Sequence, residues 1–270
     1  MTTVPPITAL VAAGQRPEGD PLAIASGVAD KALIELEGRP MLAHVLETLL
    51  GFPGIGAIRV LTQTPERLRA HPAVAALAAN PRIRFVTGGD SVSEAVAAAM
   101  APGDYPFLLT TADHPLLDAA MLEHFTASAR AANADVAAAV VSRAVFTPRF
   151  PAIRRTWLRF AGGAYSGANL FWFGSPAALA VLARWRSVEQ QRKRARAVVG
   201  AFGPLILLGV VTRLLSLDRA LAMAGRRLGL NAVAIELPQA EACIDVDRPA
   251  DRTVASAILA ERARENQVHH

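Results

Sequence analysis

Cysteine is almost missing from this chain: Cys243 stands alone among 270 residues. One thiol excludes a disulfide framework and a four-cysteine zinc site, and it makes the reducing cytoplasm the default compartment. No segment reads as a membrane span. The uncharged stretch 197–212 has 16 residues and is broken by Gly200, Gly203, Pro204 and Gly209, where a spanning helix needs about 20 apolar residues. The N-terminus, MTTVPPITALVAAG, has no basic n-region and no long apolar segment, so no signal peptide is expected. The usual glycine fingerprints of nucleotide binding are missing too: there is no G-x-G-x-x-G and no Walker lysine spacing. Lysine is scarce, and nearly all the positive charge behind the net +5 comes from arginine, whose fork suits phosphate.

What is present is a chain that is 52% apolar, rich in alanine and able to build a large core. Residues 7–13 (ITALVAA) predict a buried first strand stopped by Gly14, and 14–30 a long polar loop. Residues 32–36 predict a short strand and 41–50 a helix ended by Gly51 and Pro53. Strands are expected over 57–62, 83–87, 105–111 and 135–142, with helices over 65–79, 91–100 and 116–132 between them. Ser91 and Glu94 fit a capping box. Strands that alternate with helices in nearly continuous apolar runs predict an α/β fold, a mostly parallel central sheet with helices on both faces. Beyond 143 the pattern loosens. Two strands are expected within 153–175, a basic helix over 176–197, a helix over 216–228, short strands over 232–237 and 242–246, and a closing helix over 249–265. No repeat or linker divides the chain, so 1–270 reads as one domain with a basic and apolar helical insertion at about 176–230.

Three stretches carry chemistry. Ala12-Ala13-Gly14 and the loop after it present backbone N–H groups to a phosphate, or simply turn the chain from strand to helix. The apolar strand through Leu108-Leu109-Thr110-Thr111-Ala112 delivers Asp113 to a sheet edge; the same acid also fits an N-cap for a helix opening near Pro115. Strand alternation puts Asp245 and Asp247 on one face, where two carboxylates want a hard divalent cation. Alternatively, Asp247 caps the closing helix and Asp245 is solvated.

These features stand in a telling order: Ala12-Ala13-Gly14 and Lys31, Gly88-Gly89 and Ser93, the strand into Asp113-His114-Pro115, then Asp245-Val246-Asp247-Arg248-Pro249-Ala250-Asp251. The order resembles the MobA-like NTP transferases, nucleotidyltransferases related to the molybdenum-cofactor guanylyl- and cytidylyltransferases and to sugar-phosphate nucleotidyltransferases. The resemblance implies a Rossmann-like, glycosyltransferase-A-type fold. It implies that Ala13, Gly14, Arg16 and Lys31 hold a triphosphate and that Gly88, Gly89 and Ser93 line the base pocket. Asp113 would ligate Mg²⁺, with Asp245 or Asp247 as second ligand, and Lys31 and Asp113 would carry the catalysis. Tyr165 and Asn169, within the stretch GGAYSGANLFWF, would face the acceptor, or belong to a glycine-rich turn into a core strand. The chain departs from the family pattern where Lys31 follows Asp30 instead of proline and where Arg16 stands close behind Gly14 without the usual second glycine.

The expected activity is therefore Mg²⁺-dependent transfer of a nucleoside monophosphate from a nucleoside triphosphate, CTP or GTP, to a small phosphorylated acceptor. No nucleic-acid partner is expected. Two competing readings share the fold. Asp245-Val246-Asp247 is a D-x-D, as metal-dependent glycosyltransferases use for nucleotide-sugars, although it lies late in the chain for that role. A chain that had lost catalysis would remain as a nucleotide-binding or membrane-surface protein. The basic helix and the apolar stretch after it, about 184–215, read as a core helix with a solvated basic face, a lid, a subunit contact, or a peripheral contact with the inner face of a membrane.

Overall fold

The computed structural model describes residues 5–15, 19–88, 91–100, 103–190, 209 and 212–268. The apolar runs become strands: β1 (Ile7–Ala12), β4 (Ile55–Leu61), β5 (Ile83–Val86), β6 (Phe107–Thr111), β7 (Val136–Ser142) and β10 (Ala232–Glu236). The long β9 (Gly163–Phe173) and short β8 (Leu158–Phe160) complete an eight-stranded sheet in the order β10-β7-β9-β6-β1-β4-β5, with β8 paired to β9. β1, β4, β5 and β6 pair in parallel, as do β7 and β10, and β9 runs antiparallel between β6 and β7. The expected α/β architecture with a mostly parallel sheet is what forms.

Both faces of the sheet are buried, so alternate residues of one strand feed two cores. In β1, Ala9 and Val11 enter the larger core while Leu10 enters the smaller; in β6, Leu108 points one way and Phe107 and Leu109 the other. This is why these strands read as unbroken apolar runs. The larger core is closed by α2 (Met41–Gly51), α6 (Ala119–Ala131) and α10 (Pro249–Val268), through side chains such as Leu46, Phe125 and Ile258. The smaller is closed by α5 (Val92–Ala99) and α8 (Leu179–Gln190), through Val96 and Leu182. α8 lays Trp185 against Phe171, with ring centroids 6.2 Å apart, and pairs Arg186 with Glu94. The described part of the basic helix is thus a core helix with a charged outer face. Residues 191–208, 210 and 211, where the end of the expected basic helix and most of the apolar stretch fall, lie outside the described residues, and so does most of the region considered for membrane contact. No helix among the described residues is long and apolar enough to cross a membrane.

Several local expectations are corrected. Residues 14–30 are not all loop: α1 (Pro21–Ala25) sits within them, its N-terminal amides at Leu22 and Ala23 taken by the Asp20 side chain. Residues 32–36 are not one strand but a 3-10 turn, Lys31–Leu33, followed by the two-residue strands β2 (Glu35–Leu36) and β3 (Arg39–Pro40). The helix expected over 65–79 is two, α3 (Pro65–Arg69) and α4 (Pro72–Ala78). His71 precedes proline, is pushed to an extended ψ of 125°, and breaks the helix. α7 (Arg143–Arg149) follows β7 directly, its start capped by Ser142. α9 (Leu217–Leu228) packs beside β10 and closes with Gly229 in the left-handed region. Residues 242–246 are not a strand: a 3-10 turn spans Ala240–Cys243, and an extended but unladdered segment leads into α10.

Candidate active site

β1 and β6 lie side by side in parallel, with Ala12 opposite Thr111, so their C-terminal ends open on the same edge of the sheet. Ala112 N–H donates to the Ala12 carbonyl at 2.9 Å, which brings Ala13-Gly14 next to Asp113. In open α/β sheets this edge is where ligands bind. Asp113 is not a helix cap. α6 opens six residues later at Ala119, and its cap is Asp118, which accepts from Met121 N–H at 2.9 Å. Asp113 instead sits in the turn after β6. Thr111 Oγ1 donates to its Oδ1 at 2.5 Å, and Val246 N–H donates to its backbone carbonyl at 3.0 Å. That second bond ties the late segment carrying Asp245 and Asp247 to the end of β6.

Lys31 completes the group. The 3-10 turn projects its Nζ between Asp113 Oδ2, at 2.5 Å, and Asp247 Oδ1, and the ammonium bonds both. Burial alone pulls the Lys31 pKa down, but Asp113 and Asp247 together outweigh it and the net shift is upward, so the group stays charged. One ammonium thus reaches both carboxylates and brings the two acids to the same side chain.

The loop beside them is built by close approach. Ala13 N–H donates to the Leu61 carbonyl at 2.9 Å, and Gln63 Oε1 accepts from Gln15 N–H at 3.0 Å. Gln63 lies close over Gly14, where a Cβ would stand 3.1 Å from its side-chain oxygen. Asp30, in the place of the family's proline, is buried behind Lys31, where Thr64 Oγ1 donates to it at 3.3 Å and Arg67 lies 3.8 Å away.

The two acids of the D-x-D diverge. Asp247 turns to Lys31, while Asp245 pairs with Arg155 at 2.6 Å and accepts from Asn169 Nδ2 at 3.3 Å. Asp247 is not a cap either: α10 begins at Pro249, and Asp251 accepts from Arg248 N–H at 3.0 Å. The two acids of that motif thus meet different partners, Asp247 beside Asp113 and Asp245 away from it.

Of the other expected residues, Gly88 lies just past β5 on the same edge, at a φ of 149° that favours glycine. Ser93 is buried in the first turn of α5, its hydroxyl 3.0 Å from that of the capping Ser91. Tyr165 pairs in register with Ser142 and Leu158, on the part of β9 that extends past the end of β6. Arg16 and Gly89 lie outside the described residues. His114 is buried beside the site and stays neutral, its pKa lowered to about 4 by burial against the opposing pull of Asp113, Asp245 and Asp118. Sequence reasoning missed Arg155, Thr111 and Gln63. Thr111 is two residues from Asp113 and was open to notice; Arg155 pairs with an acid 90 positions away, which no local pattern announces.

Among the described residues, no cluster of three or more His, Cys, Asp or Glu side chains forms a dedicated metal cage. The facing pair Asp113 and Asp247 is a hard-oxygen donor set of the kind Mg²⁺ uses, since Mg²⁺ takes one or two carboxylates and completes its shell with substrate phosphates and water.

The family model of the MobA-like NTP transferase domain matches residues 24–203. The chain belongs to that family. This MobA-like transferase is therefore a nucleotidyltransferase by family, and its solved neighbours fit that placement. A hypothetical transferase from Thermus thermophilus is 28% identical, with a TM-score of 0.75 over 92% of this chain and 99% of that one. A 4-diphosphocytidyl-2C-methyl-D-erythritol synthase is 16% identical, with a TM-score of 0.57 over 95% and 99%. A CMP:2-keto-3-deoxy-manno-octonic acid synthetase, solved with CTP, is 15% identical, with a TM-score of 0.53 over 95% and 98%. These last two likenesses carry the fold. No curated protein matches the transferase.

Proposed function

We propose that this MobA-like transferase moves a nucleoside monophosphate from a nucleoside triphosphate to a small phosphorylated acceptor, with Mg²⁺ and with release of pyrophosphate. The observation that carries the reading is the Lys31 ammonium held between Asp113 and Asp247 at the open ends of β1 and β6. A cation and two acids converging beside a glycine turn suit a metal–triphosphate complex.

In this reading Asp113 and Asp247 hold the ion, and the backbone at Ala13 and Gly14, with Arg16 and Lys31, holds the phosphates. When bound, Mg²⁺ supplies charge neutralisation of the triphosphate and of the negative charge that builds in the transition state. Lys31 leaves the carboxylates for the phosphates, where its ammonium offsets the charge on the departing pyrophosphate. An acceptor phosphate oxygen attacks the α-phosphorus, the bond from that phosphorus to the β-bridging oxygen breaks, and the residues contribute by in-line positioning. No covalent nucleophile is needed, so Cys243 and the histidines have no chemical role. Gly88, Gly89 and Ser93 line the base pocket, and Tyr165 and Asn169 border the acceptor. CTP is the first choice of donor, on the strength of the CTP-bound neighbour and the cytidyl product in the other's name; GTP is second. The cytoplasm, with its nucleotides and Mg²⁺, is the compartment.

The test is pyrophosphate release with each nucleoside triphosphate, Mg²⁺ and a panel of sugar and alcohol phosphates. One productive pair is expected, dependent on both acceptor and metal. Absence of pyrophosphate with every pair, together with no nucleotide-induced thermal shift, contradicts the reading.

A further inference from the structure

Asp245 looks like half of a metal pair in the sequence, yet its surroundings hold it elsewhere. Its carboxylate is 21% exposed and meets the Arg155 guanidinium, 13% exposed, at 2.6 Å. The other fork nitrogen of Arg155 donates to the Cys243 carbonyl, so one arginine grips both a backbone and a side-chain oxygen of the same short segment. The second carboxylate oxygen of Asp245 accepts from Asn169 Nδ2 at 3.3 Å. Asn169 reaches it from an unusual backbone: its φ is 47°, and it lies where the β7–β9 register slips, with Ala138 opposite Phe171 but Val140 opposite Gly167. Asparagine enters this region more readily than other non-glycine residues, through its short polar side chain.

A second ion pair repeats the theme one turn earlier. Arg149, from the same β7–β8 connection as Arg155, pairs with the buried Glu241 at 2.6 Å. On the inward side the segment is pinned by Cys243, Ile244 and Val246, all buried, and by Val246 N–H on the Asp113 carbonyl. Between these two sets of contacts the segment has one register, and in that register Asp247 faces Lys31 and Asp113.

We propose that Arg155, Asp245 and Asn169 form a positioning cluster that sets Asp247 opposite Asp113, and that Asp245 is not itself a metal ligand. The proposal rests on the reading of Asp113 and Asp247 as the metal pair. Arg155 and Asn169 act through Asp245, and Asp245 acts through the chain to Asp247. Removing either member of the Arg155–Asp245 pair then releases the same constraint, so the second removal adds little to the first. A direct ligand behaves otherwise: its loss weakens the metal whether or not Arg155 is present.

The experiment is a Mn²⁺ titration followed by the electron paramagnetic signal of the free ion, in parallel with α,β-methylene-CTP and α,β-methylene-GTP. It uses wild type, Asp245→Asn, Arg155→Gln, the double variant, and Asn169→Gly. Glycine accepts the left-handed backbone and keeps the fold testable if the buried charge variants lose solubility. Each charge variant is expected to weaken Mn²⁺ binding about 10- to 100-fold, the range for partners that orient ligands. The double variant should match the weaker single one, and Asn169→Gly should move in the same direction by a smaller factor. Wild-type affinity in all variants overturns the proposal. So do additive losses in the double variant, or Asn169→Gly at wild-type affinity where the charge variants do not fold. A wild-type protein that takes up no Mn²⁺ with either analogue overturns the metal reading itself, and the positioning proposal with it.

Discussion

Lys31→Ala is predicted to abolish turnover and yet to tighten metal binding in the absence of nucleotide. In the free protein the Lys31 ammonium already occupies both carboxylates that would take the ion. Each charge-assisted hydrogen bond contributes about 1.5–3 kcal/mol. The Asp113 side chain is 22% exposed, so its bond keeps most of that value; Asp247 is 57% exposed, so its bond falls to the surface range of about 0–1 kcal/mol. An incoming cation therefore displaces an interaction of roughly 2–3 kcal/mol, and at about 1.4 kcal/mol per decade the lysine weakens nucleotide-free binding about 30- to 140-fold. Mn²⁺ titrations of both proteins at neutral pH, without nucleotide, measure this directly. The variant should bind more tightly by that factor while releasing no pyrophosphate in the complete assay. Mn²⁺ binding in Lys31→Ala that is no tighter than in wild type refutes the displacement argument.

Further outcomes follow from the same geometry. Asp113→Asn should lower turnover by about 1,000-fold, several kcal/mol of lost charge stabilisation, with a thermal midpoint close to wild type; near-normal turnover removes Asp113 from the metal site. His114 is buried with a pKa of about 4, while the unfolded residue titrates near 6.5. Between those values only the unfolded chain takes up the proton, so stability falls as pH drops through that window, by about 3 kcal/mol at its lower end. Denaturant midpoints between pH 7 and 4.5 should show this loss, and His114→Gln should flatten it; parallel curves argue against it. Cys243 is buried and its pKa is raised to about 11, by burial first and against the pull of Arg155. Ellman's reagent should therefore react only after unfolding, and rapid reaction of the native protein contradicts that burial.

The sequence showed the parallel strands because burial on both faces leaves nearly continuous apolar runs, as in β1, β6 and β7, with β4 interrupted by Arg59. It also showed the alternation around Asp245 correctly: Ile244 and Val246 go inward and the two acids outward. What it could not show was that this alternation has no ladder partner. The segment is held by one backbone bond to Asp113 and by arginines from 90 residues away. The divergence of Asp245 from Asp247 was illegible for the same reason, since it depends on where Arg155 and Lys31 arrive in space. The break at Pro72 is legible in the sequence, but the apolar pattern continues across it and masks it. The true cap of α6, Asp118, was hidden by the more conspicuous Asp113-His114-Pro115, whose proline does not open the helix.

The most direct measurement is the anomalous scattering of Mn²⁺ in crystals of the chain grown with α,β-methylene-CTP. One peak is predicted within coordination distance of both Asp113 and Asp247, with Lys31 turned to the phosphates and Asp245 still on Arg155. A peak held by Asp245, or a bound nucleotide whose metal touches neither Asp113 nor Asp247, contradicts the account.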